Sequence, residues 1–255
     1  MSDTEFINNQ LQYLRNFCKL HERVKGIGES IYELQPIAVV KENRFFLFAP
    51  NNKDYNFVTE HPTPFPIDFE IYAAFPLSFY QNEIAAIVTE AGLKEEKNHV
   101  FVLHEFVHCF QWNTCEEQLR SELAIEQEQM IKGVFDWEIK YPFPYEDDTF
   151  VRLTNELGCS SNFQDYHAQL RKYLRKTDYE YLVWQEWKEG FAQYIENLIR
   201  QKLGMKLDNI SLSPPFDRVS FYETGSRYID YLISNDSSLF LDLHELFNTM
   251  FNHTK

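Results

Sequence analysis

Residues 104 to 108 read His104-Glu105-Phe106-Val107-His108 and stand inside the apolar run V-F-V-L-H-E-F-V-H-C-F. Histidines four apart on a helix share one face, about 6 Å apart along the axis at a rise of about 1.5 Å per residue. Both imidazoles therefore reach one metal ion, and Glu105, about 100° round the helix, reaches a water beside that ion. Val100, Phe101, Val102, Leu103, Phe106, Val107 and Phe110 make the segment apolar nearly all round, so the helix is expected to be buried. Buried imidazole and carboxylate are costly unless something satisfies them, and a zinc ion with its water does so. A satisfied core histidine accounts for a lone His, but not for two at ligand spacing flanking a Glu.

The rest of the chain is rich enough to enclose such a helix. In 255 residues it carries 23 Phe, 15 Tyr and 4 Trp, ample for a large core and against disorder. The net charge of −15, with no basic patch interleaved with aromatics, excludes nucleic acid as the main partner. No apolar run approaches the length of a membrane span, so no membrane partner is expected. The start M-S-D-T-E-F-I-N-N-Q lacks a basic segment followed by an apolar one, so no signal peptide is expected. Cys18, Cys109, Cys115 and Cys159 show no C-x-x-C spacing; reduced thiols in a cytoplasmic protein are the simplest account. Cys115 falls on the His104 face, but about 10 Å beyond His108 along the axis, too far to share its ion.

The organisation reads as α+β in a single domain spanning 1–255. An amphipathic helix over 5–25 carries Ile7, Leu11, Leu14, Cys18 and Val24 on one side, with Gly26 as a stop. I-A-V-V-K-E-N-R-F-F-L-F gives two strands around a Lys41-Glu42-Asn43 turn. H-P-T-P-F-P (61–66) is loop, and F-E-I-Y-A-A-F resumes strand character. L-S-F-Y, Gln81-Asn82 and E-I-A-A-I-V suggest a hairpin, although the alanines leave 84–89 ambiguous with helix. If 84–89 is an edge strand beside a cleft, a peptide can dock on it by strand addition. Beyond residue 93 the pattern is helical: the histidine helix over about 94–112, the segment from Glu116, then 163–176, 180–203 and the stretch after Pro214-Pro215. The expected plan is a helix plus β-rich lobe with a mixed sheet (1–93) and a mainly helical lobe carrying the metal site (94–255), with the histidine helix at their junction.

A catalytic zinc site takes three protein ligands and leaves a position for water. The extended form H-E-x-x-H-x-x-G-x-x-H is excluded by Gln111 and Thr114. The third ligand must then come from afar: His167, His244 or a carboxylate. Within W-Q-E-W-K-E-G-F-A-Q-Y-I-E (184–196), Glu186 and Glu189 are both candidates. Glu189 lies nearly opposite the stripe of Trp184, Trp187, Phe191, Tyr194, Ile195 and Leu198, which suits either a solvated glutamate or a carboxylate facing a water-filled cleft. Gln193 and Glu196 share its face and are placed to hydrogen-bond the histidines. Gly190 inside a helix costs about 1 kcal/mol relative to alanine, so a reason such as a close helix–helix approach is needed, and it would let this helix come close to the histidine helix.

K-E-G-F-A-Q-Y (188–194) resembles the E-G-x-A signature of the gluzincins, the thermolysin-like and aminopeptidase-like zinc peptidases. The resemblance implies a zincin-like fold with Glu189 as the third zinc ligand beside His104 and His108. F-Y-E-T-G-S-R (221–227) is similar to the Y-E-x-G segment of the aminopeptidase branch, which implies that Tyr222 donates to the oxyanion. The chain departs from that branch in the 81 positions separating His108 from Glu189, and in lacking the G-x-M-E-N motif that holds a substrate's amino terminus. Aminopeptidase specificity therefore does not carry over. Residues 1–93 resemble no family.

The reading is a zinc-dependent metallopeptidase acting on a peptide or protein substrate, with Zn²⁺ on His104, His108 and Glu189, Glu105 as general base and Tyr222 as oxyanion donor. The alternatives are a zinc hydrolase of a non-peptide amide and a non-catalytic zinc-binding interaction protein. An intact Glu105 argues against the last, because a structural site has no need of a base.

Overall fold

Ser2 starts the first helix: its hydroxyl accepts from the Glu5 N–H at 3.2 Å, with Asp3 and Glu5 in the positive first turn. The helix, α1 (Asp3–Val24), tightens at its end into a 3₁₀ turn, Lys25–Ile27, around the expected Gly26 stop. The computed structural model describes residues 1–67, 69–160 and 162–252, without the side chain of Cys159. Within them the chain is α+β, with one mixed five-stranded sheet and helices.

The strands are β1 (Ile37–Lys41), β2 (Arg44–Asn51), β3 (Asp54–Pro62), β4 (Tyr72–Leu77) and β5 (Glu83–Thr89), in sheet order β3-β2-β1-β5-β4. The β1–β2 hairpin turns on Glu42 and Asn43, both at positive φ (50° and 57°), which is the twist a two-residue hairpin requires. β1 pairs in parallel with β5, and β5 pairs antiparallel with β4 across the positive-φ Gln81 and Asn82. Residues 84–89 are therefore strand, but an inner one. Both edges of β5 are occupied, so the expected strand addition on 84–89 is ruled out; β4 is the edge strand instead.

β3 was not legible as a strand, and His61-Pro62 belong to it rather than to the following loop. Its only buried residue is Tyr55, so a polar edge strand carries almost no apolar alternation to read. Phe45, Leu47, Ala38, Val40, Ala85 and Ile87 form an apolar cluster on one face, over which Ile71, Phe75, Phe79 and Tyr80 pack.

The helices after the sheet are α2 (Glu90–Lys94), α3 (His99–Gln111), α4 (Glu117–Glu122), α5 (Ala124–Ile131), α6 (Trp137–Lys140), α7 (Asp148–Cys159), α8 (Phe163–Tyr173), α9 (Lys176–Leu203), α10 (Ser220–Asn235) and α11 (Leu243–Asn252). The histidine helix is thus shorter than its expected 94–112 span: a break at Glu95 and a short 3₁₀ turn precede it, and a π turn, Trp112–Glu116, follows. Helix α7, for which no pattern was read, is capped by Asp147, whose carboxylate accepts from Thr149 N–H at 2.9 Å and Phe150 N–H at 3.1 Å. Cys18, Cys109 and Cys115 are buried as thiols; the side chain of Cys159 lies outside the described set.

The chain divides into two compact units, Met1–Asn113 with Ile195–Lys206, and Thr114–Tyr194 with Leu207–Lys255. In the first, α3 packs against β4 and β5. Phe106 meets the α1 ring of Phe17 edge-on at 5.5 Å, and His99 Nε2 lies 2.8 Å from the Leu93 carbonyl. In the second, which holds α9 as far as Tyr194, Trp184, Glu186 and Trp187 are fully enclosed, and the Trp187 indole N–H donates to the Leu243 carbonyl at 3.0 Å.

Gly190 does mark a close helix approach, but its partner is α10 rather than the histidine helix. A Cβ at Gly190 would stand 2.6 Å from the backbone of Gly225, and one at Gly225 would stand 2.7 Å from Glu186 Cα. The two helices touch backbone to backbone, and neither glycine can gain a methyl group without parting them. Overpacking costs about 1–3 kcal/mol where side chains can shift. Here backbone would have to move, so we expect Gly190→Ala to cost at least about 3 kcal/mol, read as a lowered midpoint of urea unfolding. An unchanged midpoint would show that α9 and α10 separate at no cost.

Candidate metal centre

On α3 the i, i+4 spacing brings His104 and His108 together, with ring centroids 4.9 Å apart and ring planes at 74°. His104, Glu105 and His108 are each buried, at 7%, 6% and 7% exposure, as the apolar flanks of the helix led one to expect. Each imidazole is oriented through Nδ1. His104 Nδ1 lies 3.1 Å from Glu196 Oε2 and His108 Nδ1 lies 2.8 Å from Gln111 Oε1. Both partners offer an oxygen acceptor, which suits donation from Nδ1 of each ring and presentation of Nε2 to a metal.

His104, His108 and Glu189 each offer one ligand atom, and the three atoms lie within 4.8 Å of one another. It is the one such group among the described residues. Two imidazoles and a carboxylate are a donor set suited to a divalent cation, so the residues fit a metal ion. The rival third ligands stand elsewhere. Glu186 is fully buried with its Oε2 3.3 Å from His167 Nε2, and His167 stacks on Tyr228 at 4.4 Å. His244 is bound by Gln118 at 3.3 Å and Asn248 at 3.1 Å.

The polar residues flanking these groups explain how they are held. Glu196 bridges His104 and Arg200, whose Nε donates to Glu196 Oε1 at 2.7 Å. Burial would raise its pKa, but His104 and Arg200 outweigh burial and hold the carboxyl below the usual glutamate range. Of the two residues expected to support the histidines, Glu196 does so, whereas Gln193 donates to the Asp208 carbonyl at 2.6 Å. Lys188, next to Glu189, is clamped by Glu116 and Glu138, each at 2.7 Å, which fixes the rotation of α9 at that turn.

Tyr222 lies half-buried in the first turn of α10. The Arg218 guanidinium sits 5.6 Å from its ring centroid and donates to Glu189 Oε1 at 2.9 Å. One arginine thus touches both the Glu189 and the Tyr222 singled out in the sequence. Sequence reasoning did not find Gln111, Arg200 or Arg218. The i, i+3 spacing of His108 and Gln111 was a usable signal, as was i, i+4 for Glu196 and Arg200; nothing local links Arg218 to Glu189. Compared with protein-family models, curated proteins and solved structures, the chain gave no match. No helix among the described residues is long and apolar enough to cross a membrane.

Glu186 offers a test of this placement that involves no metal. Burial pushes its carboxyl up to about 8 from 4.5, outweighing the lowering influence of Thr224. Between those values the folded state keeps a proton that the unfolded chain has released, so stability falls as pH rises through the window. The slope approaches about 1.4 kcal/mol per pH unit at most. Glu186→Gln, which cannot ionise, is expected to remove that fall when urea unfolding is compared between about pH 5 and pH 8. A wild-type slope in the variant would place the titration elsewhere.

Proposed function

We propose that the chain is a zinc-dependent metallopeptidase of gluzincin type, in which His104, His108 and Glu189 hold the zinc ion. The observation that carries the reading is the convergence of these three donors within 4.8 Å, with both imidazoles turned by acceptors at Nδ1. The buried Glu105 between the histidines adds a base to the site, which a purely structural site would not need. The zincin-like fold is part of the proposal, supported by the mixed sheet whose strands β4 and β5 back the histidine helix, and by the E-G and Y-E-x-G segments meeting at Gly190 and Gly225.

Zinc bound there would supply Lewis acidity, polarising a scissile carbonyl and lowering the pKa of a water towards about 7. Glu105 takes a proton from the attacking water and returns it to the leaving amine, so that the amine departs neutral. The Tyr222 hydroxyl donates to the negative charge that develops on the former carbonyl oxygen. Glu196 and Gln111 orient His104 and His108 through Nδ1, which favours the tautomer that presents Nε2 as the ligand atom. Strand β4, at the sheet edge, is where an extended peptide can add by main-chain hydrogen bonds.

The experiment is cleavage of a mixed peptide library by zinc-loaded protein, with and without a chelator. Glu105→Gln should retain zinc and lose cleavage, because an amide of similar size cannot accept the proton. Tyr222→Phe should lower kcat by about 10²–10³ with little change in zinc affinity. Near-wild-type turnover by zinc-loaded Glu105→Gln would remove the mechanism. An unchanged kcat in Tyr222→Phe would assign the oxyanion to another donor.

A further inference from the structure

The loop ahead of α7 and the segment ahead of α10 share a groove of about 800 Å³. Its lining is aromatic and prolyl: Phe143, Tyr145 and Phe216 with Pro144, Pro214 and Pro215. The rings are held from behind. Phe143 meets Phe150 at 5.0 Å and Phe221 at 5.2 Å, and Phe216 meets Phe150 at 5.8 Å. The loop is also tied down: the Asp147 N–H donates to the Pro144 carbonyl at 3.1 Å, and the Tyr173 hydroxyl donates to the Asp147 carboxylate at 2.9 Å. A groove whose walls are already ordered takes an extended segment at a lower entropic cost.

Three consecutive acids at the end of this loop are used differently. Asp147 caps α7. Glu146 and Asp148 line the groove, are exposed, and make no ion pair or side-chain hydrogen bond among the described residues. Asp148 also suits the positive first turn of α7, whereas Glu146 lies ahead of the helix and has no such use. No lysine or arginine is among the described residues lining the groove. The cations adjoining it in sequence are engaged elsewhere, Arg152 by Glu156 at 2.9 Å and Arg218 by Glu189 at 2.9 Å.

We propose that this groove docks an extended cationic peptide segment in which an apolar residue stands between Lys or Arg residues. The apolar side chain lies among the aromatic and proline side chains, and the flanking cations meet Glu146 and Asp148. An apolar lining alone would take any hydrophobic segment; two carboxylates with no compensating cation select a positive one. An acidic segment is repelled both by these groups and by the net charge of −15. Aromatic and proline walls have few rotamers to lose, so contact with them costs little side-chain entropy. None of the groove residues is a candidate metal ligand, so the proposal goes beyond the metallopeptidase reading and does not rest on it.

The test is fluorescence anisotropy of three pools of labelled peptides titrated with the full chain. The first pool has Pro, Leu or Phe flanked on both sides by Lys or Arg; Glu replaces the cations in the second, and Ser in the third. The first pool is expected to bind tightest, and to weaken as salt is raised towards about 1 M, where the Debye length is about 3 Å. Glu146→Gln combined with Asp148→Asn should weaken it by about 2–30-fold, the effect of losing two exposed ion pairs. Val151, half-buried in the groove lining, offers a block: Val151→Lys sets a charge like the peptide's in the groove and should weaken binding by at least about tenfold. Adding zinc or a chelator should change neither result, so failure of the metal-centre reading leaves this binding intact. Urea unfolding identifies any variant that fails to fold; Glu146→Gln alone then carries the test, with a smaller loss in the same direction. Equal binding of the three pools, or tightest binding of the acidic one, would overturn the proposal. Wild-type affinity in the folded variants, or binding that requires zinc, would place the peptide elsewhere and overturn it too. A dimer seen in sedimentation and abolished by Val151→Lys would assign the groove to a second copy of the chain instead.

Discussion

The hydrogen bond from His104 Nδ1 to Glu196 Oε2 ties the histidine helix α3 to the glutamate helix α9. Glu196 is a carboxylate with 2% side-chain exposure, a position that is costly unless both oxygens are engaged. Both are: Oε2 by His104, and Oε1 by Arg200, whose guanidinium in turn lies 5.4 Å over the Phe101 ring. Glu189 is seven residues earlier on the same helix, two turns back and about 20° from the same face. Pairing Glu196 with His104 therefore fixes the rotation of α9 at the level of Glu196. The chemistry proposed for the site depends on that one buried contact more than on the three ligands taken separately.

A second constraint acts on the same helix from the other end. Gly190 and Gly225 let the backbones of α9 and α10 touch, and the contact brings Tyr222 and Arg218 alongside Glu189. Side chains one residue away from a glycine contact have little room to wander. The two short segments that carry the family resemblance thus have a common physical content: each contributes a glycine to one crossing and a polar side chain to one cluster. Lys188, held by Glu116 and Glu138, prevents α9 from turning about its axis at that level.

Much of this was legible wherever the information is local. The spacing of His104, Glu105 and His108 on an apolar helix, the Glu42-Asn43 hairpin, and the need for a close approach at Gly190 all follow from periodicity and backbone preference. The third ligand did not follow in that way. Helix α9 is buried on nearly every side, so a stripe of Trp184, Trp187 and Phe191 cannot say which glutamate is solvated. Glu186, chemically equivalent and three residues away, is sealed against His167 instead. Arg218 is on another segment and Gly190's partner on another helix, and no local pattern announces such meetings. Strand β3 was missed for the opposite reason: as a polar edge strand it has too little apolar surface to leave a signal.

The central claim is that two imidazoles and one carboxylate take one zinc ion, and X-ray absorption at the zinc edge of protein loaded with one equivalent tests it most directly. The account predicts nitrogen and oxygen neighbours only, at about 2.0–2.2 Å, with outer-shell scattering from two imidazoles. A sulfur neighbour at about 2.3 Å, or scattering from a single imidazole, would contradict it.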